Sequence, residues 1–197
     1  MESENNYSII RLFNLLAIDG GEKYFTSIAN SFESKNSDVN NFLRQKAVIS
    51  TKLNTASTYL VVSYENNTID ILGYFSLATK MLTLKQSALT KTESKIISRF
   101  GYFDEESASF KLPAILIAQF SRNFNKNSKS IKGSELMKIV LKQVEDIQHL
   151  TSGKAVFLEC EQNKKIIDFY TECGFQSLDS TVITKDKKTL TQLYMIL

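Results

Sequence analysis

The chain has one histidine, two cysteines and one proline among its 197 residues, and no run of apolar residues approaching a membrane span. A lone His149 excludes histidine-rich metal sites and argues against histidine-based catalysis, because an imidazole in the last turn of a helix pattern ordinarily complements the helix dipole. Cys160 and Cys173 form no C-x-x-C pair. Neither a disulfide framework nor a zinc site can therefore be read from their spacing, and a reduced, cytoplasmic setting is expected. The N-terminus MESENNYSII carries acidic residues before a short apolar run and no small-residue cleavage pattern, so an unprocessed chain is expected. A single proline argues against flexible hinges, and no repeat or low-complexity tract is present. The net charge of +3 is too small to argue for nucleic acid or any other polyanion.

What remains is an ordinary globular composition, 43% hydrophobic and 23% charged, long enough for one domain with a substantial core. Ile9 to Leu16 is an apolar run closed by Asp19-Gly20-Gly21, consistent with a first strand or a short helix, the strand being preferred. Val39, Phe42, Leu43, Lys46 and Ala47 recur at helical spacing behind Ser37 or Asp38, which predicts a helix from about Asp38 to Ser50. Thr58 to Tyr64 and Ile69 to Leu77 form a hairpin pattern around Glu65-Asn66-Asn67, with Gly73 marking a bulge or a close backbone approach. Residues 85–111 are polar and are expected to be an inserted excursion with a helix at Ser94 to Phe100, introduced by Thr92 and ended by Gly101.

Pro113 opens PAILIAQF, a continuous apolar run expected at the centre of a sheet and covered on both faces. SIKGSELMKIVLKQV follows, with Leu136, Ile139, Val140, Val144 and Ile147 on one helix face. After Gly153 come the strand AVFLEC, the helix pattern NKKIIDFYTEC closed by Gly174-Phe175, and the terminal strand LTQLYMIL. Strand, helix and parallel strand through 113–160 make one β-α-β unit, so the expected class is α/β (α+β) with a mixed central sheet of six to seven strands flanked by helices. Gly133, where the polar run meets the helix, is by itself only a weak phosphate-turn signal. A helix start offers backbone N–H groups and a positive dipole end, but such turns usually carry more than one glycine.

The order of elements, together with three local patterns, resembles the GNAT superfamily of N-acetyltransferases over nearly the whole chain. The spacing N-x-x-x-x-x-F-Y-x-x-x-G-F is met by Asn163, Phe169, Tyr170, Gly174 and Phe175. The loop ending at Gly133 aligns with the family's Q/R-x-x-G-x-G/A cofactor loop, with Ser128 in place of Gln or Arg and Ile131 in place of the first glycine. The third pattern is FESKNSDVNNFLRQKA, followed by a Thr-Tyr-rich strand, Gly73-Tyr74 and Leu112-Pro113-Ala114. It is similar to the GNAT toxins of bacterial toxin-antitoxin modules.

The resemblance implies one GNAT domain over 1–197 with a splayed β-bulge site for acetyl-CoA as cosubstrate, and no metal. Its toxins acetylate the α-amino group of aminoacyl-tRNA. The partners implied are thus an amine-bearing substrate, aminoacyl-tRNA among the choices, an antitoxin protein and a second copy of the chain, with no membrane. A small-molecule or protein N-acetyltransferase outside the toxin group, or an inactive GNAT-fold binding module, is the alternative. By resemblance, cofactor contacts fall on Ala118, Gln119 and Phe120 of the central strand and on Lys129, Ser130, Ile131, Lys132, Gly133 and Ser134 of the loop, together with Asn163 and Phe169.

Tyr170 occupies the family's acid position. A phenol holds its proton at neutral pH and can pass it to a leaving thiolate, while simple packing beside Phe169 is the alternative. Asn163 is equally a helix N-cap. Glu159 and Glu161 share one strand face, opposite Cys160, and are either a base or solvated carboxylates. Lys35, Arg44, Lys46, Lys52, Lys129 and Lys132 are candidates for tRNA contact or, equally, solvated helix faces.

Overall fold

The computed structural model describes residues 7–65, 68–183 and 187–197. Among the described residues eight strands, β1 (Ser8–Arg11), β2 (Ser57–Glu65), β3 (Thr68–Lys85), β4 (Tyr102–Asp104), β5 (Ser109–Arg122), β6 (Ala155–Glu161), β7 (Gln176–Ile183) and β8 (Thr189–Ile196), hydrogen bond in the order β1-β2-β3-β5-β6-β8-β7, with β4 on β5, and helices flank this mostly antiparallel sheet. The chain divides into two compact units, residues 1–78 with 118–140, and residues 79–117 with 141–197.

In the first unit the run 9–16 is both strand and helix. Strand β1 (Ser8–Arg11) pairs antiparallel with β2 (Ser57–Glu65), after which α1 (Leu12–Leu16) buries Leu12 completely. Gly20, at φ 72, supplies the left-handed turn that admits α2 (Gly21–Asn30). The expected helix at 38–50 is three joined pieces, α3 (Ser37–Asn41), a π-turn (Phe42–Lys46) and α4 (Ala47–Lys52). Its cap is Asn36 rather than Ser37 or Asp38. Asn36 is the residue in extended conformation, and its side chain accepts the Asp38 N–H at 2.8 Å. From the π-turn, Arg44 donates to the Phe32 and Asn30 carbonyls at 2.6 and 3.3 Å, satisfying groups at the end of α2.

Strand β2 pairs with β3 (Thr68–Lys85); the turn expected at Glu65-Asn66-Asn67 includes Asn66 and Asn67, which lie outside the described residues. Both readings of Gly73 hold. The register passes from Val61↔Gly73 to Val62↔Ile71, leaving Leu72 as the bulged residue. A Cβ on Gly73 would stand 2.9 Å from Leu136 Cδ2 and 3.1 Å from the Ser121 carbonyl oxygen, so a larger residue would press on both.

The bulge is read by Asn123, which follows β5 (Ser109–Arg122) and is 1% exposed. Its N–H donates to the Leu72 carbonyl at 2.7 Å and its Nδ2 to the Ile71 carbonyl at 2.8 Å. Its Oδ1 accepts the N–H groups of Glu33 at 3.1 Å and Asn125 at 2.9 Å. One buried amide thus joins the β3 bulge, the loop after α2 and the end of β5. Around it, Phe25, Phe32, Leu43, Leu60, Ile71 and Tyr74 form the core. Phe32 meets Tyr74 edge-on at 5.2 Å, and Tyr74 Oη donates to the Val39 carbonyl at 2.7 Å.

In the second unit, residues 85–111 are not an excursion. Ile97 and Phe110 from this stretch join Leu82, Leu84 and Leu112 in the unit's core. Helix α5 (Lys91–Ile97) is capped at Thr90, not Thr92, because Thr90 and Glu93 form a reciprocal capping box. Strand β4 (Tyr102–Asp104) returns on β5, which therefore starts at Ser109, before Pro113. The outward-facing Pro113 has no N–H to give the ladder, and the strand passes through it.

The second unit continues with β6 (Ala155–Glu161), α7 (Lys164–Glu172), β7 (Gln176–Ile183) and β8 (Thr189–Ile196). Strand β7 went unpredicted because its polar, weakly alternating sequence gains its strand character from pairing with β8. Tyr194 donates to Glu93 and ties β8 to α5; burial, and then the Glu93 charge, push its phenol up to about 12. Helix α6 (Gly133–Thr151) runs through both units.

Two outcomes follow. Asn123→Ala strands the buried Ile71 carbonyl and two part-buried N–H groups, and is expected to cost about 2 kcal/mol, measured by urea unfolding. A loss below about 1 kcal/mol would mean the clamp is not structural. The raised Tyr194 phenol contributes stability that is complete below pH 10 and is lost as pH rises towards 12. Thermal melts across that range should fall less steeply for Tyr194→Phe than for the wild type.

Candidate active site

The predicted site residues fall in two groups. Ala118, Gln119, Phe120 and the loop to Ser134 belong to the first unit; Asn163, Phe169 and Tyr170 belong to the second.

Strand β5 pairs in parallel with β6 through Ile115↔Val156, Leu116↔Phe157 and Ile117↔Leu158, and then runs on through Ala118 to Arg122. Ala118, Gln119 and Phe120 are half-buried there. Tyr74 Oη reaches Gln119 Oε1 at 3.5 Å, a long contact beside its firmer bond to Val39. At the end of the strand Ser121 Oγ donates to Ser34 Oγ at 3.0 Å, and just beyond it Asn125 Nδ2 donates to the Ser31 carbonyl at 2.8 Å. The end of β5 is therefore tied to the loop after α2.

Within the loop, Lys129, Ser130, Lys132 and Ser134 are exposed, Gly133 is half-buried, and Ile131 is 5% exposed. The Ile131 side chain is part of the core, and its backbone is not among the left-handed residues. An isoleucine can therefore occupy the family's glycine position without strain. Leu136 donates the first helical hydrogen bond, to the Lys132 carbonyl at 3.0 Å. The N–H groups of Gly133, Ser134 and Glu135 precede it, at the positive end of a 19-residue helix. This arrangement fits an anionic phosphate group, held by backbone rather than by glycine conformations.

In the second unit the motif F-Y-x-x-x-G-F is a helix terminus with a defined geometry. Gly174, at φ 97, takes the left-handed position after α7. Its N–H donates to the Thr171 carbonyl at 2.9 Å, and the Phe175 N–H donates to the Tyr170 carbonyl at 3.0 Å. These two bonds define a Schellman motif, whose usual apolar contact is made by Tyr170 and Phe175 with ring centroids 6.0 Å apart. Phe169 lies edge-on to Tyr170 at 5.2 Å. Burial raises the Tyr170 phenol above its ordinary value, with smaller contributions from the Cys160 and Cys173 thiols. At neutral pH it is a proton donor. Packing and chemistry are thus compatible roles for the same ring.

Asn163 is the N-cap of α7, its Oδ1 accepting the Lys165 N–H at 3.0 Å. Glu159 accepts from Gln192 Nε2 at 2.9 Å, while Glu161 is exposed. Cys160 is buried on the opposite strand face, and burial followed by the Glu161 charge pushes its thiol up to about 11. Of the cations named from sequence, Arg44 serves the α2 terminus and Lys52 pairs with Glu22 at 2.6 Å. Lys35 stands 4.8 Å from the Phe124 ring centroid, with Arg122 4.5 Å from the same centroid. Arg122 and Phe124 were missed, since nothing in the local sequence joins them to Lys35. Among the described residues no group of three or more His, Cys, Asp or Glu side chains could hold a metal, and no helix is long and apolar enough to cross a membrane.

Neither a protein-family model nor a curated protein matches the chain. Solved structures do, and the chain shares the fold of AtaT and KacT. AtaT complexed with acetyl-methionyl-tRNAfMet is 16% identical with a TM-score of 0.66, over 96% of this chain and 94% of that one. A tyrosine-to-phenylalanine mutant of KacT is 18% identical with a TM-score of 0.68, over 98% and 95%. AtaTR bound with AcCoA is 14% identical with a TM-score of 0.58, over 98% and 94%.

With a thiol pushed up to about 11 and a buried side chain, Cys160 should be alkylated by iodoacetamide at pH 8 at least about tenfold more slowly in the folded chain than in urea. Equal rates, read by mass spectrometry, would contradict this environment.

Proposed function

We propose that the chain acts as one acetyl-CoA-dependent N-acetyltransferase domain, and that its acceptor is a primary amine, the α-amino group of aminoacyl-tRNA being the favoured choice. The observation that carries this reading is Tyr170, a protonated phenol whose backbone is fixed by the Schellman terminus of α7. The support from fold is that AtaT was solved with acetyl-methionyl-tRNAfMet and AtaTR with AcCoA. AtaT and KacT were both also studied as tyrosine-to-phenylalanine mutants. AtaT is further seen with the C-terminus of the antitoxin AtaR, so an antitoxin partner and a translation-blocking role in the cytoplasm belong to the proposal.

In this mechanism the α6 N-terminal amides and the loop 129–134 hold the phosphates of the cosubstrate, and backbone groups of Ala118, Gln119 and Phe120 align its pantetheine arm. The neutral amine attacks the thioester carbonyl, forming the C–N bond. Backbone N–H groups of β5 stabilise the developing oxyanion. As the C–S bond breaks, Tyr170 Oη gives its proton to the thiolate, and the phenol is restored by solvent. The proton released from nitrogen passes to water. The low basicity of an aminoacyl-ester amine lessens the need for a dedicated base, so Glu159 can keep its bond to Gln192.

Ile131 and Ser128 motivate a second reading, in which the fold binds coenzyme A without turnover. Acetylation assays with labelled acetyl-CoA against aminoacyl-tRNAs and simple amines separate the two. Tyr170→Phe should lower kcat by about 10²- to 10⁴-fold with the fold intact. Coenzyme A binding without any turnover in the wild type would favour the binding module, and normal growth of bacteria expressing the chain would remove the toxin role.

A further inference from the structure

The Phe124 ring holds two cations, Lys35 Nζ at 4.8 Å and the Arg122 guanidinium carbon at 4.5 Å from its centroid. Phe124 and Arg122 are half-buried, and Lys35 is exposed. Among the described residues neither cation has an ion pair to a carboxylate. Each contact with the ring contributes about 0.5–1 kcal/mol at such a site, enough to offset the mutual repulsion of like charges near water but not to neutralise them. The arrangement is also prepared in advance. The Phe124 N–H donates to the Glu33 carbonyl at 2.7 Å, Asn123 and Asn125 bind the same loop, and Ser121 bonds to Ser34 next to Lys35. Backbone on both sides of the ring is therefore fixed before any ligand arrives. From Arg122 to Ser134 the sequence adds Lys126, Lys129 and Lys132 and contains no acidic residue.

We infer that Lys35, Phe124 and Arg122 form a binding site for a terminal phosphate, whose charge of about −2 balances two fixed cations. Resting on the function proposed above, the source is the 3′-phosphate of the coenzyme, a group separate from the pyrophosphate that the α6 amides take. The guanidinium supplies a two-pronged donor face, the ammonium a point charge, and the ring keeps both from collapsing onto protein oxygens. This chain would thereby recover with side chains some of the anion affinity that its loop, with Ile131 and Ser128, does not draw from glycine amides.

The test compares coenzyme A with dephospho-coenzyme A by calorimetry on the full chain, alongside NMR of the Arg122 Nε–H resonance during titration with inorganic phosphate. The wild type should bind coenzyme A about tenfold more tightly than the dephospho form. Lys35→Gln with Arg122→Gln should abolish that difference while leaving dephospho-coenzyme A affinity unchanged. Circular dichroism melts check that the double variant folds, and Phe124→Leu, which keeps both charges but frees them, should lose part of the preference. Inorganic phosphate should shift Arg122 in the wild type. If coenzyme A fails to bind yet phosphate still shifts Arg122, the phosphate site stands and the acetyltransferase reading falls. Equal affinities for the two coenzymes, a preference that survives the double variant, an Arg122 signal blind to phosphate, or an effect confined to RNA binding would each overturn the inference.

Discussion

The first unit depends on the buried amide of Asn123. A bulge at Leu72 breaks the β2–β3 ladder and turns carbonyls out of register, and a carbonyl left dry there would cost more than a typical hydrogen bond returns. Asn123 meets the Ile71 and Leu72 carbonyls and, from its other side, the loop carrying Glu33. Because one side chain serves both, the end of β5 cannot shift without disturbing the bulge, and the loop after α2 follows it. Gly73 completes the constraint, since its missing side chain lets the Ser121 backbone come close. The end of β5 and the residues just after it are thus placed by a buried polar network rather than by apolar packing alone.

The second unit positions its candidate acid by a local device. Gly174 in the left-handed conformation closes α7, and the bond from the Phe175 N–H to the Tyr170 carbonyl draws the two aromatic rings together. The spacing Y-x-x-x-G-F is therefore structural grammar first, and the same packing that fixes the ring also keeps its phenol protonated. Asn163 performs the corresponding task at the other end of the helix. A motif recognised as functional can in this way be mostly a description of how a helix begins and ends.

Ile131 shows why a departure from a motif need not be a loss. Its side chain enters the core, its backbone stays in ordinary conformations, and the amides of Gly133, Ser134 and Glu135 still stand ahead of the first helical bond. What the substitution removes is conformational freedom, which this loop does not use. The acidic-free stretch from Arg122 to Ser134 makes the same segment electrostatically suited to anions.

The sequence by itself determined the α/β class, the central apolar strand, the hairpin with its glycine, and the α7 motif, because each rests on periodicity or on hydrogen bonds closed within a few residues. It misplaced the caps at Asn36 and Thr90 by small steps, hid β7, and presented 85–111 as an excursion although Ile97 and Phe110 are core. Only the tertiary structure decided that Asn123 would hold Glu33, that Arg44 would finish α2, and that Lys35 and Arg122 would meet over Phe124. Those contacts join residues far apart in the chain, where a polar side chain's partner is fixed by which backbone groups burial leaves unpaired and not by its neighbours in sequence.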